Sequence, residues 1–254
     1  FEKVFTEINQ VDEFKYDLVI IDSYSTRSIK VKNNIAYKTP YVGMFGFYNG
    51  PEVNRVLFSF HQMNNLLGYV KSFDEINKLA KTSISISKKD QEIIKNLKLP
   101  SNFIAIAIGG EWGYRTYIKW DQVIEKLISQ DKNVNIVLVG SQNAVDFSTR
   151  ILENFSSYNI VSCISKFSFV QTTEIIRKAQ ILICCDGGLM HSANSVNTPI
   201  IALFAKLSSE MQLTDAVTAI PIFDEYDVNN ITTEEVMLNY KKLAKLVYSH
   251  HQGE

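Results

Sequence analysis

The chain has 254 residues, 46% of them hydrophobic and 21% charged, with a formal net charge of -1. That composition fits a globular chain with one large domain or two smaller ones, gives no basis for nucleic-acid binding, and contains no apolar run of the roughly 18–20 residues that span a bilayer. Three cysteines, two of them adjacent in an apolar run, make neither a disulfide framework nor a zinc-ligand spacing, which points to a reducing cytoplasm.

In chain order, the sequence opens on Phe1 with a polar, helix-like segment and no signal-peptide pattern. "YDLVIID" (16–22) then reads as a buried strand, and "AYKTPYVGMFGFYNG" (36–50) carries strand and turn signals. "FHQMNNLLGYV" (60–70) has helical spacing, with Gly68 against it. "TSISISKKDQEIIKNLKLPS" (82–101) gives a strand-like alternation, a helix and a stop at Pro100. The domain boundary is expected there, separating 1–98 from 99–254.

The second half is more regular. Apolar runs at 103–108, 134–139, 159–164, 181–185 and 199–204 alternate with helical segments at 120–130, 144–155, 170–179 and 188–196. Strands that are apolar on both faces, separated by amphipathic helices, predict an α/β fold with a parallel sheet covered on both sides. "ITTEEVMLNYKKLAKLVYSHH" (231–251) begins with a capping-box pattern and reads as a closing helix.

Ligands of such sheets bind beyond the carboxyl ends of the strands. There the sequence places "GGEWGYRTYIKW", "GSQNAVD", "SKFS", "CDGGLMH" and "AKLSS". Gly187 and Gly188 allow close backbone approach at a helix start, where free N–H groups and the helix dipole favour a phosphate. Asp186 either fixes that loop or meets a ligand hydroxyl, and His191, one turn on, is placed to donate to a phosphate oxygen. Gly109 and Gly110 end the preceding strand of the cleft, and Arg115 and Lys119 offer cations to a diphosphate. Asp146 either complements a helix dipole or accepts from ribose hydroxyls. Each of these residues also has a plain structural role open to it, as turn glycine, helix cap or solvated charge.

Residues 103–204 resemble the C-terminal half of glycosyltransferase family 9, the bacterial lipopolysaccharide heptosyltransferases. The family's Asp-Ser/Thr-Gly-x-x-His motif and following apolar strand are matched by "CCDGGLMHSANSVNTPIIALFA", with Gly187 in place of the hydroxyl residue. "SKFSFVQTTEIIRKAQILICCDGG", "NNITTEEVMLNYKKL", "YDLVIIDSYSTRS" and "FHQMNNLLGYV" are similar to further family segments. The resemblance implies a GT-B type fold of two facing Rossmann-like domains. Residues 1–98 would form a partial acceptor-side domain and 99–254 the nucleotide-sugar domain. It also implies an inverting, metal-independent transfer of heptose from ADP-L-glycero-D-manno-heptose to a lipopolysaccharide core sugar. No cofactor or metal is expected, contact with the inner membrane is at most peripheral, and the enzyme is expected to be cytoplasmic.

Carried over by position, the resemblance assigns Asp186, Gly188 and His191 to the diphosphate and sugar, Asp146 to the nucleoside, and Lys166 and Phe167 to the base. The family's phosphate-binding lysine corresponds by spacing to Arg115 and by residue type to Lys119. Two departures matter. Ala205-Lys206-Leu207 replaces Gly-Pro-Thr after the last strand, leaving Ser208 and Ser209 as hydroxyl donors. The family's opening strand, with its Gly-Asp loop and catalytic aspartate, has no counterpart between Phe1 and Tyr16, so the chain reads as lacking those first strands. The catalytic base is therefore unassigned; Asp22, at a strand end, is the available substitute. Two alternatives remain: a nucleotide-sugar-binding module without turnover, and a transferase using a UDP- or GDP-linked hexose. No G-x-G-x-x-G follows a strand, which speaks against a dinucleotide oxidoreductase.

Overall fold

A computed structural model describes residues 10–11, 16–23, 25–45, 54–69 and 71–250. The chain divides into two compact units, Phe1–Lys78 and Leu79–Glu254. The expected helix-like opening, most of the turn region around 46–50 and the last four residues lie outside the described residues.

In the first unit, β1 (Val19–Ser23), α1 (Thr26–Ala36) and β2 (Tyr41–Phe45) form a β-α-β unit with the two strands parallel. Ser25 caps α1 by accepting from the Ser28 N–H at 3.2 Å. α2 (Arg55–Leu67) starts earlier than its apolar pattern suggests, because Asn54 caps it through bonds from Val56 and Leu57. Gly68, at φ 72°, ends it in a left-handed cap. α3 (Phe73–Leu79) follows and reaches the unit boundary.

The second unit starts with an extended strap rather than the expected strand. Residues 81–87 pair with no sheet. Lys81 Nζ instead donates to Asn197 Oδ1 at 2.7 Å, and Thr82 Oγ1 donates to the His191 carbonyl at 2.8 Å. The alternation in "TSISIS" thus reflects a strap lying on the unit, not a ladder. α4 (Lys88–Lys95) packs through Ile94 on a sheet-covering helix of the same unit, and the division of the chain places it with residues 79–254, whereas the sequence reading set the boundary after it.

From there the chain alternates: β3 (Phe103–Ala107), α5 (Trp120–Gln130), β4 (Asn135–Val139), α6 (Val145–Asn154), β5 (Ile160–Ser162), α7 (Phe169–Arg177), β6 (Ile181–Cys185), α8 (Gly188–Ser195), β7 (Ile200–Ala205), β8 (Ala219–Asp224) and α9 (Thr233–His250). The six strands are parallel in the order β5-β4-β3-β6-β7-β8. The sheet is buried on both faces because its side chains divide by period two. Ile104, Ile106, Ile136, Leu138, Ile181 and Ile183 pack with α5 and α9 on one face. Phe103, Ala105, Val137, Leu182, Cys184 and Phe204 pack with α7 and α8 on the other. Each fully buried large aliphatic contributes about 1.5–3 kcal/mol.

Helix starts follow local chemistry. Ser168 and Gln171 form a reciprocal capping box on α7. Thr232 and Glu235 do the same for α9: the Thr232 N–H donates to Glu235 Oε2 at 2.9 Å, and the Glu235 N–H to Thr232 Oγ1 at 3.2 Å. β8 was not legible as a strand, since Pro221 interrupts it and it lies at the sheet edge.

One consequence of the strand order positions the site. From β3 the chain runs outward to β4 and β5, then crosses back to β6 on the other flank of β3. The loops after β3 and β6 therefore leave in opposite directions and open a crevice between them.

Candidate active site at the β3–β6 switch point

Beyond the carboxyl ends of β3, β4 and β6 lies a cleft of 340 Å³. Its walls include Gly109, Gly110, Glu111, Trp112 and Arg115 after β3, Gly140, Ser141 and Asn143 after β4, and Cys185 to Leu189 after β6.

Gly109 holds φ 89°, and a Cβ there would meet Asn143 Oδ1 at 2.7 Å and the Ala144 Cβ at 2.9 Å. The glycine thus lets the β3 and β4 loops approach each other. Asn143 fixes that approach by donating from Nδ2 to the Gly110 carbonyl at 2.7 Å, and its Oδ1 accepts from Ser141 Oγ at 2.9 Å. A 3-10 turn, Gly113–Arg115, then carries Arg115 across the end of β6. Arg115 Nη2 lies 2.8 Å from Asp186 Oδ2 and donates to the Asp186 carbonyl at 3.1 Å. The Asp186 side chain is only 3% exposed and that of Arg115 25%, so the pair is largely shielded on the acid's side and open to the cleft on the cation's.

Gly187 behaves differently from Gly109. A Cβ on it would meet nothing within 4 Å. Its backbone is extended, and no side chain caps the helix that starts at Gly188. The N–H groups of Met190 and His191 donate back to the Gly187 carbonyl at 3.1 and 3.3 Å, which leaves those of Gly188 and Leu189, both in the cleft wall, to face the space that Arg115 lines. Cation, free amides and helix dipole converge, an arrangement that attracts a phosphoanion.

His191 lies one turn into α8 and does not line the cleft wall. Burial, chiefly, and the Arg115 charge push its pKa below 6.5, while Asp186 and a hydrogen bond with Gln212 act in the opposite direction. The imidazole is therefore neutral at pH 7, with Nδ1 buried and without a hydrogen-bond partner among the described residues. The Cys185 thiol, in the cleft wall, is pushed up to about 12, mainly by burial, and stays protonated.

The other expected site residues lie elsewhere. Lys119 does not reach the cleft: its Nζ donates to the Asn229 carbonyl at 2.5 Å and the Ile231 carbonyl at 3.3 Å, which ties the start of α5 to the turn before α9. Lys166 Nζ donates to the Ser162 carbonyl at 2.7 Å, and Phe167 packs against the α7–α8 core. Asp146 sits exposed in the first turn of α6, at the same rim as the cleft but outside its wall. Asp22 falls in β1, and its side chain is outside the described residues.

Sequence reasoning missed Asn143, Glu111 and Trp112. The signal for them was position alone: each follows a strand end in a loop already marked by glycines. Lys206, in the segment that departs from the family pattern, adopts φ 64° and sets its Nζ 4.1 Å above the Tyr114 ring, bringing a cation from the β7 loop to the 3-10 turn.

The sequence profile of glycosyltransferase family 9 (heptosyltransferase) matches residues 48–240. A glycosyltransferase family 9 structure from Veillonella parvula superposes with a TM-score of 0.72 at 15% identity, over 90% of this chain and 74% of that one. The ADP-heptose lipopolysaccharide heptosyltransferase II of E. coli gives 0.68 at 17% identity, over 93% of this chain and 78% of that one. The E. coli heptosyltransferase WaaC with ADP gives 0.64 at 15% identity, over 90% and 73%. These likenesses establish the α/β fold with its parallel sheets. No curated protein matches the chain.

Proposed function

Because the chain belongs to glycosyltransferase family 9, we propose that this transferase moves a heptose from an ADP-sugar to a lipopolysaccharide core acceptor, with inversion and without a metal ion. The observation that carries the reading is the Arg115–Asp186 pair at the β3–β6 switch point, facing the uncapped start of α8. In this reading residues 79–254 hold the nucleotide sugar and residues before them serve the acceptor.

The acceptor hydroxyl attacks the anomeric carbon from the face opposite the diphosphate. An O–C bond forms, the bond from that carbon to the phosphate oxygen breaks, and the hydroxyl proton passes to a carboxylate that remains unassigned. Negative charge develops on the departing diphosphate. Arg115 and the first N–H groups of α8 are fixed before the reaction where that charge appears, so they stabilise the transition state with little reorganisation. Asp186 orients the guanidinium. His191, neutral, adds no cation but can donate one hydrogen bond. Asp146, Lys166 and Phe167, around the β4 and β5 loops, serve the nucleoside side.

The test is transfer from ADP-heptose to deep-core lipopolysaccharide acceptor, run beside calorimetric titration with ADP. Transfer together with ADP binding supports the reading. ADP binding without transfer selects the alternative, a donor-binding module. Preference for UDP or GDP in a nucleotide panel would reassign the donor, an outcome left open by the altered loop after β7, where Lys206 replaces the family's proline. Among the described residues, no helix is long and apolar enough to cross a membrane.

A further inference from the structure

The cleft wall contains two acids, and they differ. Asp186 is paired with Arg115. The Glu111 carboxylate is exposed and makes no ion pair or hydrogen bond among the described residues. An unneutralised carboxylate repels a diphosphate, so its end of the cleft suits a neutral, hydroxyl-bearing group. Next to it stands Trp112, 56% exposed and lining the same cleft. Its main chain is held: the Trp112 carbonyl accepts from the Arg115 N–H at 2.9 Å and from Thr116 Oγ1 at 2.9 Å, which ties its backbone to the turn that carries Arg115. Ser141 and Asn143, from the β4 loop that leads into α6, line the same cleft, and Asn143 is bonded to the Gly110 carbonyl just before Glu111.

We propose that Glu111 and Trp112 form the glycosyl subsite of the cleft and select the donor by its sugar. The indole face covers the C–H face of the sugar ring, and the carboxylate accepts from its hydroxyls. An aromatic plane beside a carboxylate suits a pyranose, which presents apolar C–H groups on one face and O–H donors at its edge. The inference rests on the cleft being the donor site and adds to it which end takes the sugar.

The chain offers its own reporter, because its two tryptophans differ: Trp112 is 56% exposed and Trp120 is fully buried. Emission is followed while the protein is titrated with ADP and, separately, with ADP-heptose, and affinities are measured by calorimetry for the wild type, Trp112→Ala and Glu111→Gln. Both substituted side chains are exposed, so the variants should melt with the wild type, and melting curves check it. The expected result is that ADP-heptose, not ADP, quenches the wild-type emission. Both variants should lose about tenfold in affinity for ADP-heptose while keeping ADP affinity within about twofold. Equal quenching by ADP and ADP-heptose would overturn the assignment, as would equal losses for both ligands or no loss in either variant. Absence of ADP binding to the wild type would instead overturn the donor-site reading and the subsite with it.

Discussion

At the residue scale, the two cations picked out by sequence separated once their partners were known. Arg115 and Lys119 are four positions apart in a loop of similar composition. A 3-10 turn directs one onto Asp186, while the start of α5 directs the other onto two carbonyls. Spacing alone carries no information about which way a side chain leaves such a turn. Replacing Arg115 by Ala takes the cation away from a carboxylate whose side chain is only 3% exposed, so about 3 kcal/mol of stability should be lost, readable by urea denaturation. Asp186→Asn should cost less, because the amide oxygen still accepts from the guanidinium and the cation left behind is partly open to the cleft.

His191 gives a pH dependence whose sign is fixed. Its pKa is lowered in the folded chain, chiefly by burial, so the unfolded chain binds more protons as the pH falls past 6.5. Stability is then fully present above that value and declines on acidification through 6.5 and below. A His191→Gln variant should flatten this part of the stability–pH curve; an unchanged slope would show that another group titrates.

At the element scale, the glycines of the two loops do different things, and the sequence could not tell them apart. Gly109 is required by backbone conformation and by the closeness of Asn143 and Ala144. Gly187 is required by neither, since its backbone is extended and the space beyond it is open. Gly109→Ala should therefore destabilise the chain by about 1–2 kcal/mol, the cost of a left-handed alanine, before any clash is counted. Gly187→Ala should melt with the wild type yet weaken ADP binding, because its methyl group occupies the space where a ligand approaches the amides. If Gly187→Ala were instead unstable, the open space beside it would have another use.

The strands and helices themselves were legible where burial is complete. β3, β4, β6 and β7 appear as unbroken apolar runs because a parallel sheet hides both faces. β8 escaped notice because a half-exposed edge strand with a proline has no such run. The alternation at 82–87 misled for the opposite reason: period two records one apolar side, and a strap lying on helices has one without any ladder. α1 carries little apolar signal of its own, with Lys32 and Ala36 as its buried residues.

At the scale of the whole molecule, strand order is what sequence could not supply. The motif around Asp186 and the loop around Gly109 are more than seventy residues apart, and only the return of the chain from β5 to β6 makes them neighbours. Resemblance to glycosyltransferase family 9 anticipated that neighbourhood by analogy; the parallel register of β3 with β6 supplies its cause. The same topology concentrates strand-end loops on one rim and leaves the opposite rim, around Asn133, Asn135 and Gln180, with a separate polar hollow of 320 Å³. Both hollows are open to a small polar ligand, so cleft volume does not decide between them.

The most direct measurement is a titration with ADP followed by backbone amide chemical shifts in the intact chain. Binding at the switch point should move the amides of Gly109, Gly110, Gly187, Gly188 and Leu189 together, and leave those of Asn133, Asn135 and Gln180 in place. Shifts confined to the second group, or saturable binding that leaves Gly187 and Gly188 untouched, would contradict the placement of the donor on which the transferase mechanism is built.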